Sequence, residues 1–257
     1  MNLREQFTAF KTLLTKEVLR FMRIWVQTVL PAAITTGLYF VIFGKMIGSQ
    51  LNDISGYSYM DYIVPGIILM AIINNSYANV VSSFYSAKFQ HHVEEMLVSP
   101  MPNYLILLGF VGGGVLRGLV VGLAVTAVSL FFTEPGTFNI AITLVVVILT
   151  AVLFSLAGFL NAVFANSFDD ISIIPTFVLA PLTYLGGIFY SIDMLPEFWQ
   201  QVSLLNPIMY MINAMRYGML GVSDIDVSHA LLMIILFVAA LFAFSLYLLN
   251  KGVGIRS

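Results

Sequence analysis

Five intervals of the chain carry no Asp, Glu, Lys or Arg: Arg23 to Lys45, Asp61 to Lys88, Glu134 to Asp169, Asp170 to Asp193 and Asp226 to Lys251. Each is long enough to supply the about 20 apolar residues that a helix needs to cross a hydrocarbon core of roughly 30 Å. A sixth apolar stretch follows Asn103 and holds a single charge, Arg117. Together they predict helical spans at about 24–44, 61–83, 105–132, 139–164, 171–190 and 229–249.

Two segments break the pattern. Before the first span, Leu3, Phe7, Phe10, Leu14, Val18 and Phe21 recur at spacings of three and four, while Arg4, Lys11, Lys16 and Arg20 take other positions. That spacing predicts an amphipathic helix on the membrane surface, its apolar face in lipid and its cations toward anionic headgroups; packing on another subunit is the alternative. Between the fifth and sixth spans, Val202 to Gly221 is apolar but interrupted by Asn206, Pro207, Asn213 and Arg216. A crossing there would bury a cation at about 2.5–3.5 kcal/mol and break helix bonding at proline. Ser191 to Gly221 therefore reads as a re-entrant helical hairpin on the external side, satisfied by protein or a watery cavity. The expected fold is an all-α membrane protein in one domain, 1–257. It comprises the interfacial helix at 1–23, spans one to five within 24–190, the hairpin at 191–221 and the sixth span at 229–249.

Composition fits: 60% of residues are hydrophobic and 9% charged, against about 25% charged in soluble domains, and the mean hydropathy is +0.95. A net charge of -2 with no basic face argues against a nucleic-acid partner. The absence of cysteine removes disulfides, thiolate metal sites and thiol nucleophiles. The first apolar run follows a long basic segment without a small-residue cleavage site, so a cleaved leader is not expected. With six spans both termini share one side, and Arg4, Lys11, Lys16, Arg20, Arg23, Lys88, Lys251 and Arg256 fall there. The positive-inside bias makes that side cytoplasmic.

Candidate chemistry is sparse. The loop from Tyr85 to Pro102 holds His91, His92, Glu94 and Glu95. Adjacent side chains on a helix point about 100° apart; His91 with Glu94 or Glu95 does have metal-ligand spacing, but the pattern is weak and no metal site is expected. A short amphipathic helix with Phe89, Val93, Met96 and Leu97 on its apolar side, ended by Pro100, accounts for the same residues and suits docking of a cytoplasmic partner. Glu94 and Glu95 would then orient that partner at the rim. In the second span Asn75, Asn79 and Ser83 share a face at i,i+4, either packing against other helices or lining a path. Gly114, Gly118 and Gly122 at four-residue steps allow close helix approach in the third. If hydrocarbon begins near Gly112, Arg117 lies about 7–8 Å in, shallow enough to snorkel. Pairing with Asp169 or Asp170 is the equal alternative, and contact with a substrate anion ranks third.

No phosphate-binding loop, zinc-protease motif, hydrolase elbow or mid-membrane carboxylate occurs, so no catalytic residues are expected and energy must come from elsewhere. A secondary carrier would show coupling carboxylates or a repeat, and neither is found.

Leu179, Leu182, Leu185, Gly186, Ile188, Leu195, Pro196, Pro207, Ile208, Tyr210 and Arg216 follow the order and spacing of the signature of type-2 ATP-binding-cassette export permeases. The whole chain resembles the small bacterial inner-membrane permeases related to drug and nodulation-factor exporters. The resemblance implies a homodimeric or pseudo-dimeric permease in the inner membrane, joined to separate ATPase subunits that bind ATP and Mg, with no cofactor on this chain. It makes Phe89 to Pro100 the coupling helix, Leu3 to Phe21 the interfacial helix, and Ser191 to Gly221 the external hairpin that carries Pro196, Asn206, Pro207, Tyr210 and Arg216. It does not select among polysaccharide, glycolipid and hydrophobic drug substrates. A non-transporting membrane scaffold is the remaining alternative.

Overall fold

A computed structural model describes the chain except residues 51, 52, 135 and 255–257 and the side chain of residue 49. Arg256, one of the cytoplasmic cations counted above, lies outside the described residues. All regular elements among them are helical: α1 (Leu3–Arg23), α2 (Trp25–Ile47), α3 (Tyr59–Phe89), α4 (His92–Val98), α5 (Asn103–Ser129), α6 (Ile140–Phe164), α7 (Asp170–Tyr184), α8 (Glu197–Leu204), α9 (Pro207–Leu220) and α10 (Val227–Lys251), with single 3₁₀ turns at Gly48–Gln50 and Ile192–Met194.

Five of these, α2, α3, α5, α6 and α10, are long and apolar enough to cross a bilayer. The expected fifth span at 171–190 is different. Its helix α7 ends at Tyr184, about 22 Å long at 1.5 Å per residue and short of a hydrocarbon core. Apolarity alone does not reveal that ending. Pro175 opens a stretch of wide π-helical turns, and Gly187, at φ +81°, turns the chain out of helix.

The layout is a sheath around α3. Its most apolar window is 72% buried, against 17% for α2 and α10, which run on the outside. Ser58 starts α3 by accepting from the Asp61 amide at 3.2 Å, a cap for donors that would otherwise be orphaned. Around it α5 and α6 pack closely because small residues face backbone: a Cβ on Gly158 of α6 would lie 2.5 Å from the Tyr77 carbonyl oxygen of α3. On α5, Gly114 faces Val80, Gly118 faces Ser76 and Gly122 faces Ile72, so all three members of the glycine series admit α3 directly.

α1 forms as expected but buries a different row. Asn2 and Glu5 close a reciprocal capping box at its start. Leu3 and Phe7 remain exposed, whereas Leu13, Glu17 and Phe21 are buried. Leu13 and Leu14 sit against Gly109 and Gly112 of α5. The helix is thus half surface element and half bundle member.

Candidate functional site

The loop after α3 positions the first candidate element. α3 runs on to Phe89, and Lys88 in its last turn donates to the Val163 and Ala165 carbonyls at 2.7 and 2.8 Å, tying it to the end of α6. His91 then adopts φ +60° and reverses the chain into α4. Val93 is fully buried within the chain, and Met96 and Leu97 are partly buried against the same core. The expectation that Val93 faces a partner is therefore corrected. It pins α4 to the bundle, because a seven-residue helix has too few bonds to hold its place alone. The exposed side carries Phe89, His92, Glu95 and Val98 instead, with Val98 89% exposed. Phe89 also stacks edgewise on Phe168 from the α6–α7 turn, at 5.3 Å between ring centroids. Phe168, absent from the sequence reading, thereby joins this surface. His91 Nδ1 lies 3.1 Å from Glu94 Oε1, a local contact across one turn.

The polar face of α3 forms the second candidate, a seam of side chains reaching from α1 to mid-membrane. Ser83 donates to Glu17 Oε2 at 2.6 Å. Glu17 also meets Lys16 at 3.4 Å and Arg20 at 3.5 Å. Arg20 Nη2 donates to both the backbone oxygen and Oδ1 of Asn79 at 2.8 Å. Removing a carboxylate from water is expensive, and it is held here by close cations and a hydroxyl. Sequence analysis overlooked Glu17. Its position four residues from Leu13 and Phe21, on the row that meets the glycines of α5, was the available signal.

Arg117 ends the seam. Because α5 begins at Asn103, Arg117 stands near its midpoint, roughly 20 Å from either end and about one turn beyond Gly113, where Glu17 of α1 packs. It does not pair with Asp169 or Asp170: Asp170 accepts the Asn166 and Ser167 amides at 2.8 and 3.1 Å. Its Nη2 donates to Asn75 Oδ1 at 3.3 Å. It lines a cavity of about 260 Å³ with Gln27, Thr28 and Thr35 of α2 and Asn74 and Asn75 of α3.

The third candidate surrounds Arg216 on α9. Pro196 caps α8, and the chain breaks after Leu204. Asn206 caps α9 through the Ile208 amide at 3.0 Å, donates to the Leu182 carbonyl of α7 at 2.6 Å, and leaves Pro207 in the first turn, where no amide is needed. Tyr210 donates to the Leu204 carbonyl at 2.7 Å, closing the bend. Arg216 is fully buried: its Nη2 donates to Gly187 O at 2.6 Å, Nη1 lies 3.6 Å from Asp224, and the guanidinium sits 3.9 Å over the Tyr62 ring. These residues hold α9 to α3 and to the turn after α7. The arrangement is architectural.

A short anchored helix thus stands at one end of α3, a charged seam runs along its middle, and α9 is held against its other end. The chain is 54% identical to the inner membrane transport permease YadH of Escherichia coli strain K12 over 251 residues, 98% of each chain. More distant are nodulation protein J of Rhizobium leguminosarum biovar viciae, 23% identical over 185 residues covering 72% of this chain and 71% of that one, and its biovar trifolii counterpart, 24% over 215 residues covering 83% and 82%. Residues 8–220 match the model of the ABC-2 type transporter family. That stretch contains α4, the polar seam and Arg216, and the chain belongs to the ABC-2 type transporter family.

Proposed function

We propose that the chain is the permease subunit of an ATP-driven exporter, moving a lipid-like, glycolipid or polysaccharide, or hydrophobic drug substrate out of the cytoplasm. ATP and Mg are bound and turned over by a separate ATPase subunit. The observation that carries this reading is α4: buried Val93 fixes it to the end of the central helix, and Val98, Phe89 and Glu95 are left facing outward beside Phe168. An exposed Val at 89% on a helix so anchored is an interface anchor awaiting a partner. The permease sits in the bacterial inner membrane with both termini cytoplasmic. α7 and the irregular chain through 190 make the fifth of six crossings, and α8–α9 return to the outer face. The little-buried outer faces of α2 and α10 meet lipid and a second copy of the chain.

Val98→Asp is the sharper test than Leu97→Asp, since Leu97 already belongs to the core. Truncating or charging an interface anchor costs about 2 kcal/mol or more, so recruitment of the partner ATPase should weaken about 30-fold, with thermal stability of the permease unchanged. Val93→Asp should instead destabilise the permease itself. Unchanged recruitment and transport in Val98→Asp remove α4 from the mechanism. Transport that persists without any ATPase marks a secondary carrier, and recruitment without transport marks a scaffold.

A further inference from the structure

Arg117 is a cation near the middle of α5 whose charge the chain does not neutralise. A guanidinium within an apolar span is costly to bury and is kept where it has a partner or a task. Its hydrogen bond goes to neutral Asn75 at 3.3 Å, and its Nε is buried without a partner. No carboxylate is at hand: α2 contains none, α3 has none after Asp61, and α5 has none. The nearest on the seam, Glu17, is engaged by Ser83, Lys16 and Arg20. Arg20 acts on Arg117 electrostatically and adds to the positive potential there. The cavity beside Arg117 is thus polar and positively charged, and it lies between α2 and α3.

Its size narrows the ligand. About 260 Å³ falls below the about 300 Å³ at which pockets for whole drug-sized molecules begin, so it takes the polar end of something larger. On α2, which supplies one wall, Leu30, Ile34 and Leu38 present an exposed apolar flank where a tail can stay in hydrocarbon. We propose that Arg117 and Asn75 bind the anionic headgroup, phosphate or carboxylate, of a single- or multi-tailed amphiphile whose chain lies along α2. This rests on the permease reading and deepens it. Among the substrate classes above it selects anionic lipid-like molecules over neutral glycans and uncharged drugs.

The test uses the full-length chain in nanodiscs of neutral phosphatidylcholine, titrated with dodecyl phosphate, dodecanoate and dodecanol after subtraction of partitioning into protein-free discs. The wild type should bind both anions and show no saturable binding of dodecanol. Arg117→Gln should weaken anion binding at least tenfold, and Arg117→Lys should retain most of it. Should Arg117→Gln fold poorly, Thr35→Trp fills the opposite wall without touching the charge and should produce the same loss. Equal affinity for dodecyl phosphate in wild type and both disruptive variants, or dodecanol bound as tightly as the phosphate, overturns the assignment. Release of bound probe when the partner ATPase and ATP are added identifies transported cargo, and retention identifies a resident lipid; both keep the headgroup site. Binding is measured without any ATPase, so failed recruitment in the α4 experiment sinks the permease reading while leaving this result to stand or fall separately.

Discussion

Gly158 and Gly37 both sit inside apolar helices, yet a methyl group added to each meets opposite surroundings. At Gly158 it would lie 2.5 Å from the Tyr77 carbonyl oxygen, whereas at Gly37 nothing lies within 4 Å. Ala gains about 1 kcal/mol over Gly in helix propensity, but overpacking against backbone costs about 1–3 kcal/mol. Gly158→Ala should therefore lower the thermal unfolding temperature of the permease in detergent, and Gly37→Ala should leave it unchanged or raise it. Equal shifts for the two would show that α3 and α6 do not meet through this glycine. Individual side chains were unevenly legible beforehand. Spacing of four placed Asn75, Asn79 and Ser83 on one face, and the structure sets Arg117, Arg20 and Glu17 against them in turn. Glu17 itself escaped notice because a carboxylate in a basic amphipathic helix reads as solvated until its neighbour is known. For Arg117 the sequence left the partner open, and the structure gives neutral Asn75 where Asp169 or Asp170 had been the alternative.

α10 begins with a cap that titrates. Asp226 accepts the His229 amide at 3.0 Å, and that bond holds its carboxyl below the usual carboxylate range. A carboxylate with a depressed folded value contributes stability above its unfolded value near 3.9, and the contribution is lost as pH falls through the folded value. Protection factors for amide exchange at residues 227–230 should drop below about pH 4 in the wild type. In Asp226→Asn, which keeps the acceptor oxygen but cannot titrate, they should be flat across that window; the same drop in both proteins would put its cause elsewhere. The existence of the elements was readable for a related reason: caps, charges and prolines sit at their ends. Five spans declared themselves through charge-free intervals or glycine-rich apolarity, and Asn206–Pro207 marked the break between α8 and α9. Two features were not readable. The end of α7 depends on Gly187, indistinguishable in sequence from the packing glycines nearby. The inward face of α4 depends on which side of a seven-residue helix the bundle meets, and at that length the apolar stripe covers Phe89, Val93, Met96 and Leu97 without ranking them.

Taken as a whole, the molecule is polarised along α3. Tyr59 and Asp61 begin it beside the α9 end, where Tyr57 donates to the Leu220 carbonyl at 2.5 Å and Thr133 donates to Asp61. Lys88 ends it beside α4 and the close of α6. The Asn206 bond to Leu182 holds the start of α9 against α7, while its other end, at Gly218, accepts from Asn139 at 2.7 Å at the mouth of α6. α9 thus runs from α7 to the level at which α3 starts. A seventh crossing would need α9 to traverse the bilayer with Arg216 inside it, a costly place for a cation. Sidedness is measurable with single cysteines, since the chain has none of its own. Met194, Ser228 and Val253 are exposed, so replacing each avoids the core. Cysteines at Met194 and Ser228 should react with an impermeant thiol reagent added outside intact cells, and one at Val253 should react only after permeabilisation. If the Met194 and Val253 positions label from outside while the Ser228 position is protected, the chain crosses through α8–α9. The carboxy-terminal end of α10, and with it the Lys251 cation that helped to fix the orientation, would then lie outside the cell, while α4, upstream of that crossing, would keep its cytoplasmic face.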